Sequence, residues 1–157
     1  SLIPIDMLSV SRISHASQRL FEGELIRTVL KNKFDGKLTF TLKELLGTWS
    51  ENAALFSVGE TVTGVVRSVE SYGVFVELMP NLAGLAEPCD DLVPGQCVSV
   101  YIKSIIPDKM KIKLVIVQAF DSAAVQSELV YFDERDHIDS WHFSPTGAIK
   151  TVETYFE

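Results

Sequence analysis

Residues 56–117 read FSVGETVTGVVRSVESYGVFVELMPNLAGLAEPCDDLVPGQCVSVYIKSIIPDKMKIKLVIV, and this stretch decides the fold. Five short runs rich in Val, Ile, Phe, Tyr and Thr lie in it: Thr61–Val69, Gly73–Leu78, Gly84–Glu87, Cys97–Ile106 and Lys111–Val117. Side chains of these types suit a pleated, half-buried surface, and turn residues separate the runs. About sixty residues with five strands suit a small closed barrel, since a sandwich needs seven or more. The expected fold class is all-β, with a five-stranded antiparallel barrel over residues 56–118. Val65, Val74, Val76, Leu85, Val98, Val100, Ile112 and Leu114 are its expected core.

Strand periodicity then sorts the side chains by face. In Tyr72-Gly73-Val74-Phe75-Val76-Glu77-Leu78, the three aliphatics at alternate positions mark the core side. Phe75 and Glu77 point the other way, and Tyr72 opens the strand. Gly73 is expected to let the backbone bend or bulge between the two aromatics. An outward aromatic pair on a barrel is what base stacking needs. Lys103, Lys109, Lys111 and Lys113 lie on the last two runs and the turn between them. Lys111 and Lys113 share the face opposite Ile112, Leu114 and Ile116. Cations beside aromatics suit a phosphate backbone and its bases. The alternatives are structural: the aromatics could be covered by flanking chain, and the lysines could be a solvated edge that resists aggregation.

The pattern VGETVTGVVRSVESYGVFVEL, then GLAEP, PGQCVSVYIKSI and KIKLVI, resembles the S1-type RNA-binding domain family, an OB-fold. The resemblance covers about Phe56 to Gln118. It implies single-stranded RNA as ligand, with stacking on Tyr72 and Phe75 and phosphates held by Arg67, Lys103 and Lys111, with Lys109 beside them. The family's usual histidine after the third-strand Gly-Leu falls on Glu87, and its acidic residue before the last turn falls on Pro107. Each change removes one stacking or hydrogen-bonding group, so affinity in roughly the micromolar range is expected. The resemblance also implies a cytoplasmic protein of translation, similar to ribosomal S1, partnered by the ribosome or another RNA–protein complex.

The flanks are expected to be β-rich. Residues 1–47 read as the second half of another S1-like OB domain whose first two strands are absent, so that the chain would be a fragment. Leu2–Leu8 is its first strand; Leu25–Asn32 and Lys37–Leu42 form a hairpin across Lys33-Phe34-Asp35-Gly36, where Asp-Gly signals the turn. The alternative is a private three-stranded cap. Thr48-Trp49-Ser50-Glu51 has the form of a capping box and opens a short helical linker over residues 48–55, with Trp49 and Leu55 packing between the β units. Residues 119–157 are an acidic, β-rich extension with strands at Leu129–Asp133 and His137–Phe143. Ile149–Phe156 follows as a strand or short helix. Trp141 and Phe143 alternate with His142, so one face should dock.

Charge and composition bound the function. The net charge is −7, which argues against a general polyanion binder. Residues 1–55 carry seven Lys/Arg and six Asp/Glu, residues 56–118 five and seven, and residues 119–157 two and eight. The acidity therefore sits in the extension. No run of eighteen apolar residues and no secretory leader is present, so no membrane association is expected. Cys89 and Cys97 read as reduced thiols. His137, Asp139 and His142 do not share a strand face, and no metal motif or phosphate loop occurs, so no metal, no cofactor and no enzyme activity are expected. The leading reading is a non-catalytic single-stranded RNA-binding protein. The alternative is a protein-interaction or regulatory scaffold module using the acidic extension. A half-barrel leaves unpaired edges and faces, so a homodimer is expected ahead of a monomer.

Overall fold

The computed structural model describes residues 1–123 and 129–156. Its strands are β1 (Val29–Phe34) and β2 (Lys37–Thr41), then β3 (Thr61–Glu70), β4 (Gly73–Met79), β5 (Leu82–Ala86), β6 (Gln96–Ile106) and β7 (Lys111–Ala123), and finally β8 (Ser140–His142) and β9 (Glu153–Tyr155). A short helix, α1 (Trp49–Ala53), lies between β2 and β3. β3 to β7 close into a barrel in the order β3-β4-β5-β7-β6. All pairings in it are antiparallel except β5 with β7, which is parallel at Leu85↔Lys113 and Ala86↔Leu114. The expectation of a wholly antiparallel barrel is corrected at that seam. The reason is the crossover by β6, which lets β7 return alongside β5 in the same direction.

The barrel interior holds Val66, Val74, Val76, Val98, Val100, Ile102, Ile112 and Leu114. Val65 and Leu85, expected in the core, are only half-buried and belong to the outer face. Gly73 serves close approach rather than a bend: a Cβ there would stand 2.6 Å from the Ala86 carbonyl oxygen. At Gly84 a Cβ would meet a Leu114 methyl at 2.6 Å, so the β5–β7 seam closes only over a bare backbone.

Residues 1–47 contain a hairpin, but its first strand runs over Val29–Phe34 instead of the expected Leu25–Asn32, and the turn shortens to Asp35-Gly36. Phe34 pairs with Lys37 across Asp35-Gly36, both of which have positive φ, as a two-residue hairpin turn requires. Leu2–Leu8 is not a strand. Leu2 alone bridges Thr39, in parallel, and Ile5–Met7 winds into a 3-10 turn after Pro4. The Thr48 hydroxyl accepts from the Glu51 amide and the Glu51 carboxylate accepts from the Thr48 amide, completing the capping box of α1. Trp49 is buried as expected, but Leu55 lies exposed beyond the helix end.

The extension packs on both β units. β8 and β9 pair antiparallel, and Trp141 and Phe143 join Trp49 in the barrel's hydrophobic cluster. Leu129 and Tyr131 pack with Leu8, Leu42 and Leu46. Leu129–Asp133 forms no strand: its Phe132 amide donates to the Leu45 carbonyl in a single loop contact. Among the described residues no helix is long and apolar enough to cross a membrane.

Candidate nucleic-acid interface

The register of the barrel sets one row of outward side chains. Ser68 pairs with Phe75, Phe75 with Leu85, Leu85 with Lys113, and Lys113 with Ser104. Phe75 and Leu85 are half-buried and Lys113 is exposed. Tyr72, at the turn before β4, is 62% exposed. Its ring meets the Phe75 ring edge to face at 6.1 Å and 83°, a geometry favoured by the ring quadrupoles. The row thus crosses all five strands, and its apolar part, from Tyr72, Phe75 and Leu85, ends at the lysine on β7. Lys113 belongs to this row although the expected site centred on Lys111. Only the parallel β5–β7 seam brings it there, and that pairing is non-local.

Lys111 is exposed and pairs with Ile106 where β7 begins, and Lys109 is exposed in the 3-10 turn Pro107–Lys109. Lys103 stands at a register break: Ile102 pairs with Leu114 and Ser104 with Lys113, leaving Lys103 as the extra residue of a bulge. Bulges re-aim side chains. Lys103 lies 3.6 Å from the Glu87 carboxylate, both largely exposed, so Glu87 partly neutralises it. A pair so exposed is worth at most about 1 kcal/mol and can open to a ligand.

Arg67 is placed differently. It is the extra residue of a second bulge, between Val66↔Val76 and Ser68↔Phe75. Its guanidinium donates to Glu77 at 3.1 Å and to the Gln18 carbonyl at 3.3 Å. Arg19 holds the same carboxylate from the other side at 2.7 and 2.5 Å, and also donates to the Ser9 hydroxyl. Glu77 points outward, as alternation requires, yet it is buried because residues 9–19 cross over it. This strap is tied down by the Ser11 amide on the Pro80 carbonyl and the Val10 amide on the Asn81 side chain. The outer face thus has a covered half around Glu77 and an open half around Phe75, and Arg67 lies in the covered half with little free surface.

The remaining constellations stay small. His137 contacts Asp139 at 2.8 Å and His142 contacts Glu153 at 3.0 Å, both at the surface. Among the described residues no group of three or more His, Cys, Asp or Glu is placed to hold a metal ion.

No protein-family profile matches the chain. Curated relatives do match. The small ribosomal subunit protein bS1 of Chlamydia muridarum is 30% identical over 123 residues, 69% of this chain and 22% of that protein. The bS1 homolog of Bacillus cereus is 25% identical over 162 aligned positions, 94% of this chain and 42% of that protein. A protein of Clostridium tetani named 4-hydroxy-3-methylbut-2-enyl diphosphate reductase is 29% identical over 134 residues, 76% of this chain and 21% of its own length. The chain spans about a fifth of the length of the bS1 relatives it matches at 30% identity.

Proposed function

We propose that this chain, a distant homologue of the bS1 ribosomal proteins over most of its length, binds single-stranded RNA on the open half of its barrel. The observation that carries the reading is the Phe75–Leu85–Lys113 row with Tyr72 beside it. Two rings with free surface can each take a base, at about 1–3 kcal/mol per stacked base. Lys113, Lys111 and Lys109 follow the phosphates, and Lys103 joins when its contact with Glu87 opens. Arg67 acts indirectly, by fixing β3 against β4 through Glu77, and Glu87 tempers the local charge.

Most of the curated relatives it matches are bS1 ribosomal proteins, which supports a binding module rather than a catalytic unit. The relatives' name supports association with a ribosome or another RNA–protein complex, in the cytoplasm. The reading also takes residues 1–47 as the second half of a second S1-like unit. Its support is topological. Leu2 runs parallel to β2 at Thr39 while β1 runs antiparallel to β2, the same arrangement that β5, β6 and β7 make in the barrel.

Fluorescence anisotropy with labelled single-stranded RNA, single-stranded DNA and duplex DNA tests the function. Single strands should bind in roughly the micromolar range at low salt, about −8 kcal/mol. Duplex DNA should bind more weakly because its bases are not free to stack. Equal binding to the duplex, or none to any single strand, would remove the proposed function.

A further inference from the structure

We propose that residues 9–19 are a stop on the barrel's outer face: they close one side of the single-stranded path, so that a bound strand is held to the Phe75 row and its footprint stays short. The inference rests on the RNA-binding reading of that row. It concerns a second row beside it. Val65 pairs with Glu77 and Glu77 with Ala83. Glu77 stands two residues from Phe75 on β4, on the same face. Two residues of strand span about 7 Å. A nucleic-acid strand that ran on from Phe75 in this direction would reach the Glu77 row next.

The strap occupies that place. It is pinned at the β4–β5 turn by the Ser11 amide on the Pro80 carbonyl and the Val10 amide on the Asn81 side chain. Its far end reaches β3, where Arg67 donates to the Gln18 carbonyl. Next to Gln18, Arg19 holds the Glu77 carboxylate with two hydrogen bonds. A forked guanidinium–carboxylate pair fixes orientation as well as position. The result is a carboxylate only 5% exposed on the outward face of a barrel strand. The cover itself is thin. No residue from Ser11 to Gln18 is fully buried, and Ile13 packs half-buried on the Leu8–Leu42–Leu46 cluster. A segment with so few buried apolar contacts opens without unfolding the core.

Charge separates a stop from a binding surface. Arg19 and Arg67 set two positive charges against the one carboxylate of Glu77. If the strap held RNA, removing the Arg19 charge would weaken binding. As a stop, the strap loses its anchor by the same change, and long strands bind more tightly despite the lost charge. Arg67 stays to pair with Glu77, so the opened row carries no net charge.

The test uses the whole chain and fluorescence anisotropy with labelled oligouridylates of about four and about twelve nucleotides, lengths within the range that one OB barrel covers. Amide chemical-shift mapping is the second readout. The parent should bind both lengths alike, once the extra registers of the longer strand are allowed for. Arg19→Gln should bind the short strand as the parent does and the long one several-fold more tightly, with new shifts at Val65–Arg67 and Ala83. Lost stability alone would not move the ratio of the two affinities. Should that variant fail to fold, replacing Ser14–Gln18 by glycine and serine loosens the strap and leaves Ile13, Arg19 and every Lys and Arg in place. It should move the ratio the same way. Parent affinity that already climbs several-fold with length, or a ratio unchanged or lower in the folded variants, would overturn the stop and leave the RNA-binding reading standing. No binding of either strand by parent or variant would remove that reading and the stop with it.

Discussion

Glu77 shows what a single side chain decides here. Two guanidiniums, from Arg19 and Arg67, hold its carboxylate at a nearly dry position. Removing one side of a buried charge cluster leaves the others uncompensated and typically costs about 3–5 kcal/mol. Glu77→Ala should therefore lower stability by that order, read from the urea midpoint. Phe75→Ala removes a ring that the core does not need. It should reduce RNA affinity about tenfold or more with little change in the same midpoint. Alternation in VFVEL was enough to read both residues as outward. It could not show that Arg19, 58 residues earlier, covers one of them, because that contact is tertiary. Asp133 marks a pH-dependent feature. Hydrogen bonds from the Arg135 side chain, against a smaller opposing effect of burial, hold its carboxyl below the ordinary range. A depressed carboxyl contributes stability above its unfolded pKa and loses it as pH falls through the folded value. Asp133→Asn should thus melt slightly below the parent at neutral pH, and the gap should close on acidification. The difference should be small because Arg135 is largely exposed.

At the scale of elements, what the sequence made legible was local. The capping box and the Asp35-Gly36 turn are each encoded within four residues; the capping box forms as read, and the turn forms at Asp35-Gly36 with Lys33 and Phe34 drawn into the strand. Thr48→Ala should cost about 1 kcal/mol of stability, the usual value of a lost N-cap, measured by chemical unfolding. The misreadings have long-range causes. Arg67 and Lys103 stand at bulges, where one extra residue resets the alternation, and nothing in the neighbouring residues announces a bulge. Lys113 joins the Phe75 row only through a parallel seam whose partners are 28 positions apart (Leu85 and Lys113). Leu2–Leu8 and Leu129–Asp133 have strand-like composition but, among the described residues, do not form ladders, so packing overrode propensity there. Lys111→Ala and Lys113→Ala should each flatten the salt dependence of RNA binding by about 0.7 in log–log slope, measured by anisotropy across a salt series.

At the scale of the whole molecule, the extension joins the parts. Trp141 and Phe143 sit in the barrel's cluster while Leu129 and Tyr131 sit in that of residues 1–47. The hairpin is not fully covered: Phe34 is 80% exposed, and Leu30, together with Leu25 in the segment before β1, is also open to solvent. The 157-residue chain is therefore expected to dimerise through this face, and Phe34→Lys should return it to monomer by light scattering. The protein's net charge of −7 weakens long-range attraction to RNA, so the proposed function rests on short-range stacking on the open half of the barrel. Amide chemical-shift mapping in the presence of a short single-stranded RNA tests that claim most directly. Shifts should cluster at Tyr72–Phe75, Gly84–Ala86 and Lys111–Lys113, and leave the strap at residues 9–19 and the extension nearly unmoved. Shifts confined to the strap or the extension, with the Phe75 row silent, would contradict it.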